Sequence, residues 1–292
     1  MIDRLHGVEP HPIARILAAL LEARTGQIMA PNRFWRIETS LKPVLRHHNI
    51  PDLDALAAVI SKVECEPLVQ DVVEAMLNNE SSFFRDAALF VTLQREVIDH
   101  IAKQKAKTRH LRIWSAGCAT GQEPYSLAML FAEEPERWHG WTIEIVASDI
   151  SQSAIGKAES GVYSQFEIQR GLSAQRMLRH FQQTGSDWEL RPDIRERVAF
   201  SRSNLLKHAP HRAPFDLLLC RNVLMYFSPE ARHRAYARLA SSISDDGVLV
   251  LGAAETVIGH DTQFRVSARF RGCYRRLPRE KRDHNQPLAM LG

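Results

Sequence analysis

The feature that most constrains the fold is a glycine-bearing turn between a strand pattern and a helix pattern. The apolar run Leu111–Ser115 is followed by Gly117 and Gly121, and a helical run starts near Tyr125. Glycines permit tight turning and close ligand approach, while a helix N-terminus leaves backbone donors unpaired. The sequence therefore predicts the first strand–turn–helix unit of a nucleotide-type α/β site.

The same turn carries an acidic residue, which narrows the class of ligand. It lacks the full G-x-G-x-x-G pattern, and Glu123 stands where a pyrophosphate would be repelled. A carboxylate here suits a ligand with a positive group, and S-adenosylmethionine carries both an ammonium and a sulfonium. The turn favours that compound over a dinucleotide.

Length and composition allow one large domain and one small one. The chain has 292 residues, 45% of them hydrophobic, and a formal net charge of +4. That charge favours an anionic partner, but it is equally ordinary for a soluble protein. The four cysteines form no C-x-x-C pair, so neither zinc nor a disulfide framework is indicated. No run approaches the ~20 apolar residues of a membrane span, so a cytoplasmic protein without membrane insertion is expected.

Hydrophobic periodicity divides the chain into two parts. Apolar residues at helical spacing, interrupted by prolines, predict a small all-helical domain over 1–77. The polar segment 78–85 is predicted to be a linker. A long helix follows, with apolar residues at every fourth position: Leu89, Leu93, Val97 and Ile101.

Strand and helix patterns alternate over 86–278, which predicts a parallel, doubly wound sheet. The segment of about 173–200 reads as an inserted hairpin turning near Gly185, and 279–292 as a disordered tail. The expected fold class is α/β: a Rossmann-like doubly wound domain with a small antiparallel β insert, preceded by a small all-helical domain. The predicted strands of the main sheet are Leu111–Ser115, Ile143–Ser148, Phe215–Cys220 and Val248–Leu251.

Polar side chains follow two of these strands. Asp149 can accept hydrogen bonds from both ribose hydroxyls, although the segment Ser148–Ser151 could instead simply cap the next helix. Arg221, Asn222 and Tyr226 follow the third strand and can converge on a ligand. Taken alone, Tyr226 reads as a half-buried aromatic with its hydroxyl in solvent.

Arg85 lies at the start of the predicted long helix, where its charge opposes the helix dipole. A guanidinium aimed at a carboxylate substrate would explain that position, because its fork matches the two oxygens. The alternative is a surface arginine paired with Asp86 or Glu80.

Six segments, in the same order and at similar spacing, resemble the CheR-type chemotaxis receptor methyltransferases. The resemblance covers about residues 10–277 and implies a methyltransferase that moves a methyl group from S-adenosylmethionine to glutamate side chains of chemoreceptors. The products would be glutamyl methyl esters and S-adenosylhomocysteine. The segments are Asn79–Arg85, Trp114–Ser126, Ala147–Asp149, Asn204–Leu206, Cys220–Phe227 and Gly247–Glu255.

The resemblance also implies a role for each matching residue. Arg85 and Tyr226 would stand nearest the transferred methyl as the catalytic residues. Glu123 would take the methionine ammonium, Asp149 the ribose, and no metal is expected. The other residues implied to border the cofactor are Asn79, Ser81, Gly117, Asn204, Leu205, Arg221 and Asn222, together with Arg85.

A glutamate with an unperturbed pKa of about 4.3 is ionised near neutrality, so it can attack the methyl group without a general base. The expected partner is the cytoplasmic helical domain of chemoreceptors, with no nucleic acid, and the enzyme is expected to be a monomer. Arg33, Arg36, Lys42 and Arg46 could face that partner or could form a solvated basic face.

Two other functions stay open from sequence. An RNA-directed Rossmann-like methyltransferase would suit the basic charge, but the chain lacks an N-P-P-Tyr motif and a basic-aromatic patch. A non-catalytic signalling module could bind S-adenosylmethionine or S-adenosylhomocysteine. In some members of the family that this chain resembles, the insert binds a receptor peptide by strand addition. The hairpin here lacks the glycine-rich loop of those members, so the sequence does not decide whether this insert binds such a peptide.

Overall fold

The computed structural model describes residues 12–30, 33–62, 65–210, 214–261 and 263–277. The predicted tail, 279–292, lies outside the described residues.

The first part of the chain is helical, as predicted. Its apolar stripes meet in one core in which Leu17, Leu41, Leu56 and Val72 are fully buried or nearly so. The helices are α1 (Pro12–Thr25), α2 (Trp35–His47), α3 (Leu53–Lys62) and α4 (Glu66–Met76).

A second helical run leads from the linker to the sheet. It consists of α5 (Ala87–Thr92), a π-helical turn (Leu93–Val97) and α6 (Ile98–Gln104). Its four-residue apolar period is confirmed, because Leu93, Val97 and Ile101 are all buried.

The centre of the molecule is a seven-stranded sheet in the order β6-β2-β1-β7-β8-β10-β9. The first five strands in that order are parallel, and β10 and β9 are antiparallel. The strands β2 and β6 lie on one side of β1, and the later strands, beginning with β7, lie on the other. The strand order therefore reverses between β1 and β7. The strands are β1 (His110–Ala116), β2 (Thr142–Asp149), β6 (Val198–Arg202), β7 (Phe215–Cys220), β8 (Ile243–Leu251), β9 (Phe264–Val266) and β10 (Cys273–Arg276).

Helices cover both faces of this sheet, which confirms the doubly wound prediction. Alternate residues of one strand enter different cores: Ile113 belongs to one cluster and Trp114 to the other, as do Leu217 and Leu218. Both faces are buried, and this explains why the strands read as continuous apolar runs. The long flanking helices are α7 (Gln122–Glu133), α8 (Gln152–Ser160) and α12 (Pro229–Ser242).

The antiparallel insert is also present, but its limits differ from the predicted 173–200. It is a three-stranded sheet in the order β3-β5-β4, and its first strand lies before residue 173. Val198 pairs with Ile145 of β2, so the last residues assigned to the insert belong to the main sheet. Its elements are β3 (Val162–Ser164), α9 (Gln165–Gln169), α10 (Ala174–His180), β4 (Phe181–Thr184), β5 (Asp187–Leu190) and α11 (Pro192–Arg195).

Candidate functional site

A cleft of about 890 Å³ opens at the carboxyl ends of β1, β2 and β7, where the strand order reverses. Its lining joins the linker, the glycine turn and the loops after β2, β6 and β7. Every site residue predicted from sequence lines this cleft: Asn79, Ser81, Arg85, Gly117, Glu123, Asp149, Asn204, Leu205, Arg221, Asn222 and Tyr226.

Gly117 shapes the floor of the cleft. The backbone N–H groups of Gly117 and Cys118 donate to the carbonyl oxygen of Ser148 at 2.8 and 3.0 Å. Gly117 has φ +74°, and a Cβ at this position would lie 2.4 Å from Cγ2 of Val223. A larger residue would therefore be strained and would push the wall of the cleft inward.

Asp149 ends β2 with its carboxylate buried against the same turn. Oδ2 accepts from the backbone N–H of Ala119 at 2.8 Å, and Oδ1 accepts from that of Ser151 at 3.0 Å. Burial raises the pKa of Asp149, while these two hydrogen bonds act in the opposite direction. The cap of α8 is Ser151, whose hydroxyl accepts from Ala154 N–H at 3.0 Å, so capping does not explain Asp149.

Arg221 connects the glycine turn to the linker. Its Nη1 donates to Oε2 of Glu123 at 3.0 Å, and Nη2 donates to the Asp86 carboxylate and, at 3.0 Å, to the carbonyl oxygen of Arg85. Oε1 of Glu123 accepts from the Ser115 hydroxyl at 2.8 Å. The carboxylate assigned from sequence to an ammonium group is therefore already paired, and the guanidinium that pairs it is 2% exposed.

Arg85 does not form either of the surface pairs that were its alternative explanation. The Glu80 carboxylate binds Arg170 at 2.5 Å, and the Asp86 carboxylate binds Arg221. The hydrogen bond and charge of Arg170 hold the pKa of Glu80 below its usual value. Arg85 itself donates to the carbonyl oxygen of Glu80 at 3.4 Å. The carboxylates of Glu80 and Asp86 are thus both paired with other arginines.

Tyr226 is held between the linker and the chain that follows α1. Its hydroxyl accepts from Nδ2 of Asn78 at 2.8 Å, and the guanidinium of Arg33 lies 5.8 Å from its ring centroid. The N–H of Ile28 donates to the Tyr226 carbonyl oxygen at 2.7 Å, next to an antiparallel bridge between Gln27 and Phe227. Tyr226 thus faces the cleft, and its hydroxyl has a protein partner.

Sequence reasoning missed the residue that fixes the loop carrying Asn222 and Tyr226. The Glu255 carboxylate accepts backbone N–H groups from Asn222 (2.7 Å), Val223 (2.9 Å), Met225 (3.1 Å) and Gly252 (2.8 Å). The signal was available, because Glu255 ends the last of the six segments that resemble the family. The cleft residues Thr25, Gln27 and Asn78 were also missed.

Backbone strain concentrates around this cleft. Phe84 and Asp86, which flank Arg85, have φ +48° and +63°. Ala119 and Asn222, which line the cleft, have φ +49° and +60°. Side-chain-bearing residues rarely adopt such values, and they tend to do so at functional sites.

Two further features of the described residues concern the sequence expectations about metal binding and membrane insertion. His47, His48 and Asp71 offer ligand atoms within 4.8 Å of one another, but they lie at the end of α2 and on α4 and not in the cleft. His48 and Asp71 already contact each other at 2.7 Å. Across the described ranges, no helix is both long and apolar enough to cross a membrane.

The doubly wound sheet, the glycine turn and the strand-end carboxylate of Asp149 together form a nucleotide-type α/β site. The family model described as "CheR methyltransferase, SAM binding domain" matches residues 79–272. The chain therefore belongs to the CheR methyltransferase family, and it is an S-adenosylmethionine-dependent methyltransferase.

Relatives align over most of their own length. Chemotaxis protein methyltransferase 1 of Pseudomonas aeruginosa is 35% identical over 83% of this chain and 89% of the relative. Chemotaxis protein methyltransferase Cher2 of Pseudomonas putida is 34% identical over 84% and 90%. The chemotaxis protein methyltransferase of Vibrio anguillarum is 31% identical over 86% and 92%.

Proposed function

We propose that this enzyme methylates glutamate side chains of chemoreceptors, giving methyl esters. The observation that carries the proposal is the state of Arg85. Its guanidinium lines the cleft with Tyr226, while the carboxylates of Glu80 and Asp86 are paired with other arginines. A planar cation in that position suits an incoming carboxylate.

The acid–base content of the cleft supports the same substrate. Among the described residues that line it, none is a histidine or a lysine that could serve as a general base. A glutamate nucleophile needs none, because its carboxylate is ionised near pH 7. S-adenosylmethionine supplies the methyl group on a positively charged sulfur. The chain's own residues then have to orient the carboxylate and exclude water.

For the cofactor, we propose that Asp149 binds the ribose and that Asn204 and Leu205 flank the adenine. The methionine end carries both an ammonium and a carboxylate, which the Glu123–Arg221 ion pair complements in charge. Asn79, Ser81, Gly117 and Asn222 border the rest of the cofactor. Each of these residues lines the cleft.

The proposed contact with the receptor is the exposed side of α2. Trp35, which is 71% exposed, lies along one side of the helix with Lys42 and Arg46, opposite the buried Ile37 and Leu41. A basic side with one large aromatic suits an acidic, glutamate-bearing helix.

The other two basic residues lie near the cleft. Arg33 sits over the Tyr226 ring, and the charge of Arg36 helps to lower the pKa of Glu80. They are placed to guide an acidic side chain toward Tyr226. We propose that the enzyme acts in the cytoplasm, where the receptor helices lie, and as a monomer, since residues of one chain complete the cleft.

The test is incubation of the full chain with methyl-labelled S-adenosylmethionine and membranes that carry candidate receptors. The expected result is label on receptor protein that alkali releases as methanol, because a glutamyl methyl ester is base-labile. The matched control is Arg85→Ala, which should remove the label. Alkali-stable label on RNA would contradict the proposal, as would cofactor binding without transfer to any receptor.

A further inference from the structure

A carboxylate of the helical domain sits on the N-terminus of α8, the helix that follows Asp149. Oε1 of Glu74 accepts from the backbone N–H of Gln152 at 2.6 Å. Oε2 accepts from the hydroxyls of Ser151 at 2.6 Å and Ser153 at 3.1 Å. A negative group at this end of a helix satisfies unpaired donors and is favoured by the dipole.

Ser151 connects Glu74 to residues that line the cleft. Its hydroxyl also accepts from Nδ2 of Asn79 at 3.2 Å, and its backbone N–H donates to Oδ1 of Asp149 at 3.0 Å. Asn79 and Asp149 both line the cleft, whereas Glu74 does not. One serine therefore joins the helical domain, the linker and the strand-end carboxylate.

We propose that Glu74 is a positioning residue for the cofactor: by holding Ser151 and the start of α8, it fixes Asp149 and Asn79 in their binding orientation. The inference rests on the proposed binding of ribose by Asp149. It makes cofactor affinity depend on a side chain in the helical domain that does not itself touch the cofactor.

Replacement of Glu74 by glutamine has two opposing effects. The negative charge of Glu74 adds to burial in raising the pKa of Asp149, so its removal would relieve some repulsion. The amide, however, has one acceptor oxygen where the carboxylate has two, and its NH₂ would face donors. The hydrogen-bond effect should dominate, because Glu74 accepts three hydrogen bonds at this helix end, whereas its repulsion is the last of the named causes of the Asp149 pKa shift.

The experiment compares Glu74→Gln with Glu66→Gln in the full chain by calorimetric titration. Glu66 is on the same helix and undergoes the same charge change, but its partner is Arg24, at 2.7 and 2.9 Å. Glu74→Gln should weaken binding about tenfold, as expected for loss of a charge-assisted hydrogen bond. Glu66→Gln should change affinity by less than about twofold, as for an exposed ion pair.

Two ligands separate positioning from a through-space charge effect. S-adenosylhomocysteine shares the ribose of S-adenosylmethionine but lacks the positive sulfur. Mispositioning of Asp149 should weaken both ligands by the same factor, whereas loss of an attractive charge would weaken S-adenosylmethionine selectively. In steady state, KM for the methyl donor should rise while kcat at saturation is retained.

Ser151→Ala provides a second variant in case Glu74→Gln folds poorly. It should also weaken both ligands, and the double variant should be no weaker than the worse single one, because both changes break one network. If Glu74→Gln bound both ligands with wild-type affinity, whatever its Tm, the inference would be overturned but the proposed function would not. A loss of affinity confined to S-adenosylmethionine would have the same consequence. Failure of the wild type to bind either ligand would overturn the proposed function as well.

Discussion

At the scale of single residues, the cleft separates side chains that face the ligand from side chains that hold others in place. Arg85 and Tyr226 line the cleft. Arg85 donates a hydrogen bond to the Glu80 carbonyl oxygen, and the Tyr226 hydroxyl accepts one from Asn78. Glu255 belongs to the second group, because it positions the loop after β7. Arg221 belongs to both, because it lines the cleft and also holds the linker. Substitutions in the two groups should therefore have different kinetic effects.

Arg85→Ala should lower kcat about 100-fold while changing the affinity for S-adenosylmethionine by less than about fivefold, because it removes the group that we propose orients the acceptor carboxylate. Arg85→Lys, which keeps the charge but not the fork, should recover only part of the rate. Single-turnover methyl transfer and calorimetry measure the two quantities. A variant that loses cofactor affinity but keeps its turnover would contradict this role.

Glu255→Gln should lower both cofactor affinity and kcat, with a combined loss in kcat/KM of about 30-fold. The amide nitrogen would face backbone donors that the carboxylate now accepts, and the loop holding Asn222 and Tyr226 would shift. Steady-state kinetics with varied methyl donor measures this loss. Glu230→Gln, on the nearby α12, is the control and should keep wild-type values.

At the scale of elements, periodicity predicted the strands buried on both faces and the helices between them. It missed β6 as a member of the main sheet, because its apolar part is only Val198–Phe200, too short a run to separate from the hairpin pattern before it. It began β8 at Val248, since Asp245-Asp246-Gly247 resembles a turn, yet the strand starts at Ile243. Pairing with neighbouring strands decides both cases, and a local pattern does not contain that information.

The cleft was more accessible to sequence reasoning than these edges were. Its ligand-facing residues follow glycine turns and strand ends, where polar types stand out against apolar runs. What sequence could not show is the pairing among them: Glu123 with Arg221, Asp149 with two backbone donors, and Glu255 with four. Apart from Asp149 with Ser151 and Glu255 with Gly252, those contacts join chain segments that are distant in sequence.

A partly buried ion pair ties the insert to the main domain and should make stability depend on pH. Glu133, at the end of α7, contacts Arg176 at 2.8 Å and His180 at 3.2 Å on α10. Burial acts to raise the pKa of Glu133, but the hydrogen bonds from His180 and Arg176 outweigh it and lower the pKa to about 2. The stabilisation is thus present above the ordinary pKa of 4.5 and is lost as pH falls toward 2.

Glu133→Gln should reduce the free energy of unfolding at pH 7 by on the order of 2 kcal/mol. The difference in the free energy of unfolding between wild type and variant should narrow as pH falls below about 5, because the wild-type carboxyl is then increasingly protonated. Urea unfolding at several pH values measures the gap. Glu134→Gln, next in sequence and paired with Arg137, is the control and should cost less than about 1 kcal/mol. A gap that stays constant with pH would contradict the assignment.

At the scale of the whole molecule, charge on α2 should set the rate of receptor encounter without affecting the chemistry. Lys42→Glu combined with Arg46→Glu should lower kcat/KM for receptor about tenfold at low salt, and the two enzymes should converge as salt rises. Affinity for S-adenosylmethionine should be unchanged, because neither residue lines the cleft. Arg265→Glu combined with Arg271→Glu is the charge-matched control, because both residues are exposed and neither lines the cleft. Equal losses in the two variants would exclude α2 as the contact.

The bridge between Gln27 and Phe227 has a consequence for how the enzyme fails. It joins the end of α1 to the loop after β7 by main-chain pairing, which Ser228 N–H extends by donating to the Gly26 carbonyl oxygen at 3.1 Å. Melting of the four helices would release that loop even with the central sheet intact. Heat inactivation should therefore follow the unfolding of these four N-terminal helices, and no form in which they are unfolded should retain methyl transfer.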